Sequence, residues 1–345
     1  MKFGIVLNIQ SPPRGEDIAT VYEEALLEAE VAEKSGFELA VVGEHHHSPD
    51  GYLPSALTFC AALAARTSKM MVGSDVMQLP IWHPVHVAEI ASVIDNISRG
   101  RLVLGVGLGQ KDRSAFGIPK NGIVARFEES VEILRRAWRS DTFSFTGEHF
   151  NLENVRVAPR PVQPGGPPIW IGALSKAGLE RAGRIGDGWP TDNLQSLTTI
   201  KQWAETYREI AAEHGRRSEI VLARSGWIAD TRSEVEEKWW PYVKAFHQPY
   251  IRLRLFKDIA ADGDPSHWSF ERVAPDRLIG GRPDEVIREI ERYRAEIACE
   301  WMIFLFRHPQ GPDHKEVLKC IELFGREVIP AFSIRATEDA GESRS

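Results

Sequence analysis

The 345-residue chain is poor in cysteine, and its three cysteines, Cys60, Cys299 and Cys320, lie far apart in sequence. That excludes a disulfide framework and a thiolate metal cage, both of which need several closely spaced sulfurs. Basic charge is not in excess either: 42 Lys and Arg face 49 Asp and Glu, a net charge of −7. A dedicated nucleic-acid binder would normally carry a basic face, so that class is set aside. No stretch approaches the roughly 20 apolar residues of a membrane-spanning helix. Met1-Lys2-Phe3-Gly4 runs straight into an apolar strand, without the basic and long apolar segments of a secretory signal. Composition excludes wholesale disorder, since 43% hydrophobic and 26% charged residues lie close to the globular average. The expectation is a cytoplasmic α/β protein.

What the chain does have is a regular alternation of short apolar runs with longer segments of helical period, the pattern of a parallel sheet. Strands are predicted at 3–8, 37–43, 70–79, 101–106, 169–172, 186–189, 220–228 and 301–306. Helices are predicted between them; in the first, Val21, Ala25, Leu26, Ala29 and Ala32 keep helical spacing until Gly36 stops it. Others fall at 54–65, 84–97, 126–139, 175–183, 197–214, 233–246, 283–297 and 314–328. Length alone would allow two domains of about 150 residues or one α/β barrel of about 250 with insertions. Eight strands in βα order favour the single closed barrel, spanning 1–335. The surplus is assigned to a hairpin within 142–168, an irregular stretch at 248–281, and a polar tail at 336–345, ATEDAGESRS.

In such a barrel the chemistry sits where strands end and βα loops begin. After the second strand stand Glu44, His45, His46 and His47. On an extended chain alternate side chains face opposite sides, so either His45 and His47 or His46 alone would face one cavity. A histidine here suits general acid–base work near neutral pH; the competing reading is a polar loop histidine ordered by Glu44. A metal site drawing on His83 and His86 lacks the helical spacing and the supplementary Cys or acidic ligands. Near the fifth strand, Gly172-Ala173-Leu174-Ser175-Lys176 forms a small-residue turn into a helix. Backbone N–H groups and the Ser175 hydroxyl could meet an anion there, with Lys176 as a nearby cation, or Ser175 could be an ordinary helix cap. The Gly105-Val106-Gly107-Leu108-Gly109 run is half a dinucleotide fingerprint, and tight packing explains it equally well. Trp170 and Trp189 could flank a planar cofactor or fill the core.

Taken together, these residues resemble the bacterial luciferase-like flavin monooxygenase family. The resemblance is carried by GEHHHSPDGYLPS (43–55), by AARTSKMMVGSDVMQLPIWHPVHVAE through DNISRGRLVLGVGLG (64–109), and by FTGEHFNLENVRVAPRPVQPGGPPIWIGALS (145–175). GDGW (186–189) and the span from GGRPDEV to ELFGREVIPAF (280–332) complete the family order. The resemblance implies a TIM-type (β/α)8 barrel with flavin mononucleotide (FMN) at the C-terminal ends of its strands. It places the catalytic histidine on His45, paired with Glu44, and a non-proline cis peptide under the flavin at or beside Asp75-Val76, next to Met77. Gly107 and Leu108 border the flavin. The phosphate turn falls on Gly172, Ala173, Leu174, Ser175, Lys176 and Gly178, and Trp189 flanks the ring. This sequence departs at Leu108, where the luciferase subunit has a phosphate-pairing arginine; Lys111, Arg113 or Lys176 would have to substitute.

The implied activity is insertion of one oxygen atom into a small organic substrate, using O2 and reduced FMN bound transiently and supplied by a partner reductase. The chain is expected to form a homodimer and to need no metal. The 248–281 stretch would act as a lid that excludes water, or as a surface or dimer loop. The same fold with the deazaflavin coenzyme F420 would instead transfer hydride; those members tend to show an acidic-His-Phe pair followed by tryptophan, unlike EHHHSPDGY. A non-catalytic flavin-binding protein is the third alternative.

Overall fold

The computed structural model describes all residues except 12–16, 110–111, 194, 253–263, 265, 267 and 333–345. The chain opens with β1 (Lys2–Leu7), α1 (Ile18–Lys34), β2 (Leu39–Val42), α2 (Ala56–Arg66), β3 (Met71–Ser74) and β4 (Met77–Gln78). It continues through α3 (Pro84–Ser98), β5 (Leu102–Gly107), α4 (Ile123–Arg139), β6 (Phe143–Thr146), β7 (Asn151–Val155) and β8 (Ile169–Ile171). Then follow α5 (Lys176–Ile185), β9 (Gly188–Pro190), α6 (Leu197–Glu213), β10 (Glu219–Ile228), α7 (Arg232–Lys238) and α8 (Trp240–Arg252). The last described elements are α9 (Phe270–Arg277), β11 (Leu278–Gly281), α10 (Pro283–Ile297), β12 (Trp301–Leu305) and α11 (His314–Glu327). The parallel strands β1, β2, β3, β5, β8, β9, β10 and β12 make the expected TIM-type (β/α)8 barrel.

The described residues fall into two compact units. One comprises Leu39–Pro190 and Tyr207–Ser218. In it β2, β3, β5, β8 and β9 pair in parallel, for example Val42 beside Ser74 and Val106 beside Ile171. Strands covered on both faces read as unbroken apolar runs, and every residue of β2, β5 and β8 is buried. The other unit comprises Met1–Glu38, Thr191–Thr206 and Glu219–Ser345. There β10 pairs β12 and β12 pairs β1 in parallel, over a core of Phe3, Phe37, Phe304, Phe306 and Phe324 with ring centroids 4.8–6.4 Å apart.

The structure departs from the sequence reading in four places. The third strand is not continuous: β3 stops at Ser74 and β4 resumes at Met77, with a cis Asp75–Val76 peptide between them. The hairpin within 142–168 reduces to β6 and β7, and 156–168 contains no further strand. The helix expected at 233–246 is two helices, separated at Trp239, whose backbone is non-helical. The 248–281 stretch is not wholly irregular: α8 runs on to Arg252, and α9 leads into β11, which pairs β10. Residues 253–263 of that stretch, and the tail at 336–345, lie outside the described residues.

Candidate active site

The loops after β2, β3 and β5 belong to one unit, and a chain of polar contacts knits them together. The Asp75 N–H donates to Val42 O at 2.7 Å, fastening the ends of β3 and β2. Glu44 is buried just beyond β2, and its carboxylate is heavily used. Oε1 accepts from the Gln78 N–H at 2.9 Å and the Trp82 indole N–H at 3.2 Å; Oε2 accepts from the Ala56 N–H at 3.2 Å. The last bond caps α2, whose N-cap residue Ser55 makes no side-chain cap bond of its own. His46 Nε2 lies 3.3 Å from Glu44 Oε1, and the His46 ring is buried edge-on to Phe116. Glu44 therefore orders His46.

The burial of the three histidines alternates as on an extended chain, His45 and His47 exposed and His46 buried, although β2 ends at Val42 and His47 is left-handed with φ 54°. His45 projects, its side chain 58% exposed. Its N–H donates to Leu53 O at 3.1 Å, and its ring meets Tyr52 edge-on at 4.7 Å. Nδ1 lies 3.6 Å from Asp112 Oδ2. That oxygen also accepts from the Gln78 side-chain amide at 2.6 Å and from the His46 N–H at 3.0 Å. Burial pushes the Asp112 carboxyl up, but the bonds from His46 and Gln78 and the neighbouring His45 outweigh it and hold it below the usual carboxylate value. Among the described residues, no cluster of three or more His, Cys, Asp or Glu is arranged to hold a metal ion. His83, considered above as a ligand, opens α3 and packs edge-on against Phe150.

Val76 is half-buried and forms an apolar platform beside β5 and β8. Its methyls occupy space that glycines leave open: a Cβ on Gly107 would lie 2.8 Å from one of them, and a Cβ on Gly172 3.3 Å from both. Met77 is fully buried on β4 and pairs Val106 of β5, while Leu108 is half-buried just past β5. Beyond β8, Ala173 is buried and Leu174 is 52% exposed. Ser175 caps α5, its Oγ accepting from the Gly178 N–H at 3.2 Å. The first turn of any helix leaves N–H groups without intrahelical acceptors, and the exposed Lys176 adds a cation at this end. Trp189 is fully buried, and its indole N–H donates to Ala173 O at 3.2 Å, bracing the turn. Arg113 is half-buried after Asp112; Lys111 lies outside the described residues. The Val76 methyls and the start of α5 thus lie in one unit.

The sequence reading gave no role to Gln78 or Asp112, because their partnership appears only when three loops meet. It passed over polar residues of the other unit altogether. There Ser225 Oγ lies 3.3 Å from both Asn193 Nδ2 and His308 Nε2. His308 and His247 are fully buried, with ring centroids 6.4 Å apart. Burial pushes the His247 imidazole down to about 4, the Val243 carbonyl bond opposing it only in part, and lowers His308 well below the ordinary value. Two adjacent polar residues inside an otherwise apolar run, Arg224 and Ser225 in β10, were the available signal.

Comparison with known proteins agrees with the geometry. The oxygenase component of a flavin-dependent trigonelline monooxygenase from Acinetobacter baylyi is 23% identical over 358 residues, covering 96% of each chain. An F420-dependent glucose-6-phosphate dehydrogenase from Nakamurella multipartita is 26% identical over 323 residues, covering 88% of this chain and 90% of that protein. Among solved structures, monooxygenase RslO1 from Streptomyces bottropensis superposes with a TM-score of 0.79 at 27% identity, covering 96% of this chain and all of that one. Residues 1–298 match the luciferase-like monooxygenase family as a whole. The chain belongs to the luciferase-like monooxygenase family.

Proposed function

We propose that this chain is the oxygenase component of a two-component flavin monooxygenase. It takes up reduced FMN from a separate reductase, uses O2, and adds one oxygen atom to a small organic substrate. The observation that carries oxygen chemistry over hydride transfer is the Glu44-His45-His46-His47 segment, which resembles the flavin-dependent branch rather than the acidic-His-Phe pattern of deazaflavin members. The likeness to RslO1 and to the trigonelline oxygenase over nearly full length supports the same reading. That the latter is the oxygenase component of its enzyme supports a reductase partner.

The residues present suit FMN. Val76 with Gly107 and Gly172 would seat the ring, with Asp75, Met77 and Leu108 at its border. Leu174, Ser175, Lys176 and Gly178 would hold the phosphate at the start of α5, where helix dipole and N–H groups favour an anion, and Trp189 and Ala173 would keep that turn in place. Bound reduced FMN supplies two electrons to O2, one oxygen atom passing to substrate and the other leaving as water. His45 moves a proton at Nε2, the nitrogen turned away from Asp112. Glu44 acts as a positioning residue through His46, Gln78 and the cap of α2. The working unit is a homodimer.

The test is anaerobic titration with reduced FMN and with reduced F420, followed by turnover with a reductase, isotopically labelled O2 and a panel of organic substrates. The expected result is binding of reduced FMN and a product carrying one labelled oxygen. His45→Gln should leave flavin affinity within about threefold while lowering product formation by about 10²-fold, the scale of general acid–base catalysis. Tight F420 binding without affinity for reduced FMN would replace this reading with hydride transfer, which the similarity to F420-dependent dehydrogenases favours. Oxygen consumption that never yields oxidised product would leave a flavin-binding protein.

A further inference from the structure

We infer that Asp112, not the adjacent Glu44, is the carboxylate that positions His45, and that it fixes the imidazole as the Nδ1–H tautomer with its lone pair on Nε2. The inference rests on the reading of His45 as the reacting side chain. Three observations carry it. First, the carboxylate next to His45 in sequence is committed elsewhere: Glu44 accepts from Gln78, Trp82 and Ala56 and faces His46, all while buried. Second, Asp112 Oδ2 is brought to 3.6 Å from His45 Nδ1 by anchors from two other loops, the Gln78 amide at 2.6 Å and the His46 N–H at 3.0 Å. A carboxylate held from two sides has little freedom to turn away. Third, His45 is itself restricted, its N–H tied to Leu53 O and its ring edge-on to Tyr52.

An ionised carboxylate only accepts, so the imidazole nitrogen facing it carries the proton and the other nitrogen carries the lone pair. The 3.6 Å separation is just beyond a hydrogen bond, and such contacts in unliganded sites often tighten when substrate binds. Gln78 belongs to the same device: its backbone N–H serves Glu44 and its side chain serves Asp112, so one residue sets both carboxylates. Among the described residues, the His45 ring faces the Asp112 carboxylate and the edge of the Tyr52 ring.

The tautomer is read directly by nitrogen NMR of isotope-labelled histidine, with the His45 signals assigned by their loss in His45→Gln. The expected native signature is a protonated Nδ1 and an unprotonated Nε2. Asp112→Ala should move the population toward Nε2–H, and Asp112→Asn, which restores an acceptor oxygen, should bring most of it back. In turnover, Asp112→Ala should lower kcat by roughly 10²-fold with KM within about twofold. Gln78→Leu, which frees the carboxylate without removing it, should shift the tautomer in the same direction and serves where Asp112→Ala does not fold. A native Nε2–H tautomer, an unchanged ratio in Asp112→Ala, or Asp112→Asn behaving like Asp112→Ala would each overturn the inference. Because the NMR measurement needs no flavin, failure of the monooxygenase reading is separable: it shows as His45→Gln retaining coupled product.

Discussion

Glu44→Gln separates a scaffold from a chemical participant. The substitution keeps shape and removes charge, but an amide offers only one acceptor oxygen. If that oxygen takes the place of Oε1, it keeps the Gln78 N–H and the Trp82 indole as donors, and the new NH2 faces the Ala56 N–H at the start of α2. A buried donor left without an acceptor costs about 1–3 kcal/mol. The two retained bonds pass from charge-assisted to neutral and lose about 1 kcal/mol between them. The total is about 2–4 kcal/mol. At roughly 2.1 cal/mol/K per residue, unfolding 345 residues carries an entropy near 0.7 kcal/mol/K, so Tm should fall by about 3–6 °C. Calorimetric melting of the flavin-free protein at neutral pH measures this without turnover. A Tm lowered by less than about 1 °C together with loss of product would show that Glu44 works on the substrate and would refute the scaffold reasoning.

Two further outcomes test the phosphate seat and the buried histidines. Ser175→Ala removes the cap of α5 and should cost about 1 kcal/mol of stability; if Ser175 also meets the phosphate, affinity for reduced FMN should fall by about tenfold more than affinity for reduced riboflavin, which has no phosphate. Equal losses for the two flavins would take Ser175 out of the seat. His247 and His308 are both held below the ordinary value of 6.5 by burial, His247 to about 4. Their contribution to stability is full above pH 6.5 and is lost as pH falls toward 4, because the unfolded chain takes up protons that the native protein refuses. Each histidine should give a slope of up to about 1.4 kcal/mol per pH unit in that window. Denaturant unfolding across it should show His308→Asn removing about half of the slope, and an unchanged slope would mean that His308 is not buried in its neutral form.

The barrel was legible because its strands are covered on both faces and so announce themselves as apolar runs, as in LAVV of β2 and WMIFL of β12. What escaped has no such mark. β11 is four residues, LIGG, wedged between two helices, and the cis Asp75–Val76 peptide between β3 and β4 was reached through the family resemblance alone, since the two residue types do not advertise it. The site divides along the same line. The Ser175 cap was readable because its partner, Gly178, is three residues away. The strand-end position of His45 was readable from the order of elements. The partner of His45 was not, because the bond that places Asp112 spans 66 residues to His46 and 34 to Gln78. Sequence neighbours mislead here for a definite reason. Glu44 and His45 point apart, the one buried and the other exposed, as neighbours on an extended chain do, so Glu44 pairs with the loops it pins, and tertiary folding pairs His45 with a carboxylate from a different strand end. A carboxylate one position from a catalytic histidine is therefore weak evidence of a dyad, whereas one tethered from two other loops to face its Nδ1 is strong evidence.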